Sequence, residues 1–243
     1  MTESINERIV AQRLEANRIP FQPELPGKLA VYLRMLAEWN GKMDLTAVEG
    51  EDELLDRHFV DSLTVTRTGL LDGASTLIDV GSGAGFPGMV LAMAMPETQV
   101  TLLDSQQKRL TFLETVAAET GTENVTIVHA RAEDGARQPE MREQFDVACA
   151  RAVAPLNVLS ELLLPYVRVG GWMLCWKGPG LAEEMESGRR AAFLLGGKMD
   201  APLSCPIAGR DWEHQLLPVH KTGATPKKYP RKAGTPKREP LGV

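Results

Sequence analysis

The residues with the plainest chemical bearing are Asp79-Val80-Gly81-Ser82-Gly83-Ala84-Gly85 and, further on, Asp104. Residues 76–80 read as a strand and 86–95 as a helix with Pro87 in its first turn, so the glycines form a strand-to-helix turn. Glycine lets a backbone approach a ligand closely, and a helix start offers N–H groups without intrahelical partners. Such a turn cradles a nucleotide or nucleoside. Two frames overlap in it: Gly83-Ala84-Gly85-Phe86-Pro87-Gly88 matches the dinucleotide pattern G-x-G-x-x-G, and D-x-G-x-G-x-G begins at Asp79. In both frames Asp104, about twenty residues on, is the acid expected on ribose hydroxyls. An acid at the strand end repels a pyrophosphate but suits the ammonium and sulfonium of S-adenosylmethionine. The loop also opens at Gly81, ahead of the dinucleotide frame. S-adenosylmethionine is therefore the favoured ligand, with a nicotinamide or flavin dinucleotide and a purely structural turn as the alternatives.

His58, Asp61 and Ser62 suggest a hydrolytic triad, but their spacing rejects it. Three and four residues apart, they share one helix face. The strained elbow between small residues that such a serine needs is absent. A helix face that orders substrate or caps a cofactor pocket is one reading, and buried polar packing is the other.

These residues need elements to position them. A polar helix is expected over residues 4–18 and another over 25–39, where Leu25, Leu29, Tyr32, Leu36 and Trp39 form a stripe that Gly41 ends. A third helix is expected over 51–66. From residue 75 strands and helices alternate: strands over 76–80, 99–103, 124–129, 145–150 and 172–176, helices over 86–95, 106–119 and 156–166, with a Gly170-Gly171 turn before the fifth strand. Beyond lie a helix near 181–195 and strands near 200–204 and 212–219, then an extended irregular stretch over 222–243. Alternating buried strands and helices imply βαβ units and a mostly parallel sheet, an α/β fold.

The 243 residues, 43% hydrophobic and 24% charged, suit one globular α/β domain. Three cysteines without metal-type spacing (Cys149, Cys175, Cys205) read as reduced thiols, pointing to a cytoplasmic setting. The first seven residues are polar and acidic, unlike a secretory signal, and the longest apolar run, 89–95, is too short to cross a bilayer. No membrane partner is expected. Net charge is −5, unevenly placed: residues 220–243 carry seven Lys or Arg against one acid, which leaves −11 on the rest. An acidic body with a basic tail points either to an anionic partner or to a solvated tail.

Several segments then carry a resemblance: 40–47 (Asn40-Gly41-Lys42-Met43-Asp44-Leu45-Thr46-Ala47), 58–63 (His58-Phe59-Val60-Asp61-Ser62-Leu63), 79–88, Leu102-Leu103-Asp104-Ser105, 150–156 (beginning Ala150-Arg151-Ala152) and the basic tail 225–236. Together they resemble the bacterial small-subunit ribosomal RNA methyltransferase G family, also called glucose-inhibited division protein B, from about residue 25 to the end. Two departures are Gln106-Gln107, where members often have Leu-Gly, and Asp44, where many have Asn.

The resemblance implies a Rossmann-like class I methyltransferase fold: a mostly parallel seven-stranded sheet with helices on both faces, a helical extension over 1–68, a core over 69–221 and the tail over 222–243. It implies methylation of N7 of guanine 527 in the 530 loop of 16S rRNA, with 16S rRNA or the assembling 30S subunit as partner, a monomer and no metal. Gly81, Phe86, Ala132, Glu133 and Arg151 match cofactor-lining positions; Asp104 and Ser105 join them on the ribose side, and Asp79, Gly83 and Gly85 complete the loop. Arg151, His58 and Asp61 are positioning candidates, Arg151 toward a carboxylate or a phosphate. No residue is expected as an essential catalyst, because guanine N7 has no proton to remove. Lys227, Lys228, Tyr229, Arg231 and Lys232 are the candidate RNA contacts, with core packing the other reading for Tyr229. Deleting residues 224–243 is expected to spare cofactor binding and destroy RNA binding.

Overall fold

Branched apolar residues in short runs, each closed by glycine or a polar turn, build the central sheet. The computed structural model describes residues 5–212 and 214–243. The polar reading of the first residues and the start of the first expected helix therefore fall partly on residues 1–4, outside the described residues.

Helix α1 (Glu7–Ala16) starts where Asn6 Oδ1 accepts the Ile9 N–H, and it buries Val10 and Leu14 one turn apart. Helix α2 (Leu25–Met43) buries Leu25, Leu29, Tyr32, Leu33 and Leu36. It runs past Gly41 and stops at Asp44, whose backbone is left-handed at φ 48°. After glycine, asparagine is the residue best suited to that conformation, and aspartate is tolerated there. The third expected helix is one helical run of four pieces: α3 (Glu51–Leu54), a π-helical turn (Leu55–Val60), α4 (Asp61–Leu63) and a 3₁₀ turn (Thr64–Arg67). The wide π turn carries His58.

Strands β1 (Thr76–Val80), β2 (Gln99–Asp104), β3 (Val125–His129), β4 (Phe145–Arg151) and β5 (Val167–Lys177) are parallel, joined through α5 (Gly88–Ala94), α6 (Gln107–Thr120), α7 (Ala132–Gly135) and α8 (Leu156–Leu163). After α9 (Leu181–Leu194) come β6 (Gly197–Met199), β7 (Leu203–Ser204) and β8 (Gln215–Lys221), then α10 (Thr235–Arg238). The order is β3-β2-β1-β4-β5-β8-β6, with β8 antiparallel to β5; six strands of that path lie where expected, β6 is unexpected, and the strand expected near 200–204 is the two-residue β7, which pairs with β8 off the path. The Gly170-Gly171 turn is corrected: both glycines lie inside β5, where the pairing with β4 slips between Val167 and Trp172. A Cβ at Gly171 would stand 2.4 Å from the Asp146 carbonyl oxygen, so the bulge needs glycine.

Each sheet face has its own apolar layer. One joins Leu14, Tyr32 and Phe59 of the N-terminal helices to Leu77, Val90 and Phe112. The other joins Ile78, Leu159 and Tyr166 to Tyr229 of the tail. The tail thus follows an irregular path but is seated on the body: Arg142 donates to the carbonyls of Tyr229 (2.8 Å) and Thr225 (2.9 Å), and Arg137 to that of Pro230 (2.9 Å). No described helix is long and apolar enough to cross a membrane.

Candidate active site

The chain order changes direction between β1 and β4, and in open α/β sheets ligands bind beyond the carboxyl ends of strands at that switch. A cavity of about 540 Å³ lies there. Gly81 and Phe86 after β1, Asp104 at the end of β2 and Ser105 just beyond it, Ala132 and Glu133 after β3, and Arg151 at the end of β4 all border it.

Backbone geometry makes the loop. Gly81 has φ 77° and Gly85 φ 96°, both in the region that favours glycine. A Cβ at Gly85 would sit 2.3 Å from the Tyr32 hydroxyl, which donates to the Ala84 carbonyl. Gly83 lines the cavity, but Gly85 packs behind it. Asp104 ties the loop down: Oδ2 accepts the Gly83 N–H at 2.9 Å and Oδ1 the Gln106 N–H at 2.8 Å. Each oxygen keeps acceptor capacity toward the cavity. Ser82 Oγ borders the same space, buried and without a hydrogen-bond partner among the described residues. An orphaned hydroxyl beside a half-used carboxylate fits a polar, nucleoside-sized ligand.

Asp79 requires a correction. It is fully buried and does not line the cavity, so it does not face a bound cation directly. Its Oδ2 accepts the Gly88 N–H at the start of α5 at 2.8 Å, leaving Oδ1 buried and, among the described residues, unpartnered. Burial raises its carboxyl to about 7, against the lowering effects of the Gly88 N–H and of Arg151.

On the opposite wall Arg151 is held by three bonds: Nη1 donates to the Arg57 carbonyl (2.7 Å) and to Asp61 Oδ2 (3.1 Å), and Nη2 to His58 Nδ1 (2.8 Å). His58 Nε2 lies 2.7 Å from Thr46 Oγ1, and the imidazole stacks on Phe86 with ring centres 4.8 Å apart. Burial, and then the neighbouring Arg151, lower His58 to about 3, so it is neutral at physiological pH. A neutral imidazole that accepts from Arg151 carries its proton on Nε2, toward Thr46. His58, Asp61 and Arg151 are one connected network, and Ser62 turns away to donate to the His58 carbonyl.

Two opposed pH dependences follow. His58 is lowered on folding from 6.5 to about 3, so its contribution is complete above 6.5 and is lost as pH falls toward 3. Asp79 is raised from 3.8 to about 7, so its contribution is complete below 3.8 and is lost as pH rises through 7. Between 3.8 and 6.5 the two slopes oppose each other. Asp79→Asn is expected to leave His58 alone, so stability relative to wild type climbs by up to about 1.4 kcal/mol per pH unit in that window. His58→Gln is expected to give the opposite trend. Denaturant midpoints at several pH values check both, and parallel curves for all three proteins would refute the assignment.

The tail enters the site at places the sequence does not signal. Gly234, Pro236 and Lys237 border the cavity, and the Gly234 N–H donates to Glu133 Oε1 at 2.8 Å. Of the candidate RNA contacts, Lys227, Lys228 and Lys232 are exposed. Tyr229 is buried at 8% exposure, and Arg231 is bound to the buried Glu161, so both side chains are committed to the fold. The tail supplies part of the cavity wall, which bears against the expectation that its deletion leaves the pocket untouched. Among the described residues no group of three or more His, Cys, Asp or Glu is placed to hold a metal ion.

Residues 26–210 match the family described as rRNA small subunit methyltransferase G. The chain is 47% identical over 214 residues to the ribosomal RNA small subunit methyltransferase G of Alkaliphilus metalliredigens, covering 88% of this chain and 90% of that one. It is 44% identical, over the same shares, to the Clostridium perfringens protein of that name. Among solved structures, a 16S rRNA (adenine(1408)-N(1))-methyltransferase variant with cosubstrate SAM from Catenulisporales acidiphilia superposes with TM-score 0.52 at 16% identity, covering 68% of this chain and 93% of that one. At that identity the likeness concerns the fold alone.

Proposed function

Because the chain belongs to the rRNA small subunit methyltransferase G family, we propose that it transfers a methyl group from S-adenosylmethionine to N7 of guanine 527 in the 530 loop of 16S rRNA. The observation that carries this reading is the reach of the match: residues 26–210 include Gly81, Asp104, Glu133, Arg151 and His58, which border one cavity. When bound, the cofactor supplies a methyl group already activated on a sulfonium. Guanine N7 offers a lone pair with no proton to remove, so the chain's residues position rather than act as bases. Asp104 would hold the ribose hydroxyls, Ala132 and Glu133 the adenine end, and Arg151, fixed by Asp61 and His58, the methionine carboxylate. Phe86 closes the wall between Arg151 and the loop, and Pro236 of the tail helps to exclude water.

The substrate is 16S rRNA, free or in the assembling 30S subunit, and the setting is cytoplasmic. Exposed Lys227, Lys228 and Lys232 supply phosphate contacts. The test is transfer of labelled methyl from S-adenosylmethionine to 16S rRNA and to 30S particles, with the modified base mapped. A mark at N7 of guanine 527 is expected; label on another base, or binding of NAD in place of S-adenosylmethionine, overturns the reading. Replacing the three lysines with alanine is expected to leave the melting temperature unchanged and to weaken RNA binding. The log–log salt slope should become shallower by roughly 2–3; an unchanged slope would remove the tail from the interface.

A further inference from the structure

A second cavity, of about 340 Å³, adjoins the first and shares His58, Arg151 and Ala152 with it as a common wall. Its other side is built from Trp176 and Lys177 at the end of β5 and from His214 just before β8. Asp61 spans the two sides. Its Oδ2 takes Arg151 Nη1 at 3.1 Å, its Oδ1 lies 2.9 Å from His214 Nδ1, and its carbonyl accepts from Trp176 Nε1 at 3.1 Å. A carboxylate on Nδ1 keeps the proton on that nitrogen, so a neutral His214 presents a bare Nε2 lone pair. Among the described residues Nε2 has no hydrogen-bond partner. Arg57, its guanidinium 3.9 Å above the Trp212 ring and its Nε on Glu53 Oε2 at 2.7 Å, also lines the cavity.

We propose that this cavity receives the target purine swung out of the RNA stack, and that His214 Nε2 accepts its N1–H, so that the Asp61–His214 pair selects guanine. The proposal rests on the N7 reading given above. Guanine and adenine both carry a lone pair on N7, so methyl transfer alone does not distinguish them. They differ along the neighbouring edge, where guanine N1 bears a hydrogen and adenine N1 a lone pair. With N7 turned to the opening into the first cavity, where the methyl group would lie, the N1 edge turns away from it, toward the side that His214 occupies. There guanine gains a hydrogen bond, and adenine sets one lone pair against another. An extruded base read on its Watson–Crick edge is the usual solution for enzymes that modify a single nucleotide.

The experiment compares methyl transfer to target RNAs, free or in 30S particles, that carry guanine or N1-methylguanine at the target position; the second keeps N7 and O6 but loses the N1–H. The wild-type protein is expected to use N1-methylguanine at least about 100-fold less well in kcat/KM. His214→Ala is expected to lose about 10–100-fold on guanine while its penalty for N1-methylguanine shrinks to a few-fold. Cofactor affinity should be unchanged, and His214→Gln, with an acceptor oxygen, should recover part of the rate. An undiminished penalty in His214→Ala, or a wild-type protein that uses both RNAs equally, overturns the proposal. Wild-type failure to methylate guanine N7 in either RNA overturns the functional reading itself, and this inference with it.

Discussion

Asp104→Ala is expected to abolish methyl transfer through loss of the cofactor, with S-adenosylmethionine affinity falling by at least about 100-fold. Two charge-assisted hydrogen bonds to ribose, at roughly 1.5–3 kcal/mol each, account for that factor without any contribution from the loop. The loop adds to it, because the same carboxylate accepts the Gly83 N–H at 2.9 Å and the Gln106 N–H at 2.8 Å. Removal frees the backbone the ligand must lie against, so affinity falls through loss of preorganisation as well. Asp104→Asn separates the two effects. Its size is right, but its NH₂ must oppose either the Gly83 or the Gln106 N–H, so it restores little of the affinity. Calorimetric titration with S-adenosylmethionine, beside a thermal melt of the free protein, measures both. An Asp104→Ala protein that binds within a few-fold of wild type would remove Asp104 from the ribose site.

Arg231→Ala is expected to destabilise the protein by about 3–5 kcal/mol in the absence of RNA. Glu161 is wholly buried, and Arg231 answers it with Nε at 2.9 Å, Nη2 at 2.6 Å and the backbone N–H at 2.8 Å. Truncating the arginine leaves a buried carboxylate without its counter-charge, the costly half of an ion pair. At about 2–4 °C per kcal/mol for a chain of this size, the melt should fall by roughly 6–20 °C. Arg231→Ala combined with Glu161→Leu is expected to recover much of the loss, since it removes the stranded charge. A residue that served only RNA would behave otherwise, with an unchanged melt and weaker RNA binding. This is why Arg231 leaves the group of candidate RNA contacts while the three exposed lysines remain.

What was legible from the sequence was local. The run from Thr76 through Gly88 announces strand, glycine loop and helix by composition alone, and Asp104 follows at the ribose-binding interval. The helical run from Glu51 carries His58 and Asp61 on one face, and the structure adds that a π turn presents His58. The misreadings came from direction and distance. Asp79 is where the motif puts it, but its carboxylate turns to the Gly88 N–H, a choice of side-chain direction that spacing does not encode. The Gly170-Gly171 pair looks like a turn until β4 runs alongside and makes it a bulge. The partners of Arg231 and Glu133 lie 70 and 101 residues away in the chain, and those of Asp61 up to 153, beyond any local pattern. His214 carries no local signal for the same reason: one histidine before a strand means little until Asp61 stands beside it.

The seating of the tail also makes the shape of the pocket depend on how firmly the tail is held. Gly234, Pro236 and Lys237 complete the cofactor cavity, and the Gly234 N–H is the group that caps Glu133. A tail lifted off the body would leave the sheet and the glycine loop in place but take one wall of the pocket with it. The contacts that Arg137, Arg142 and Glu161 make with the tail thus set how open the pocket stands.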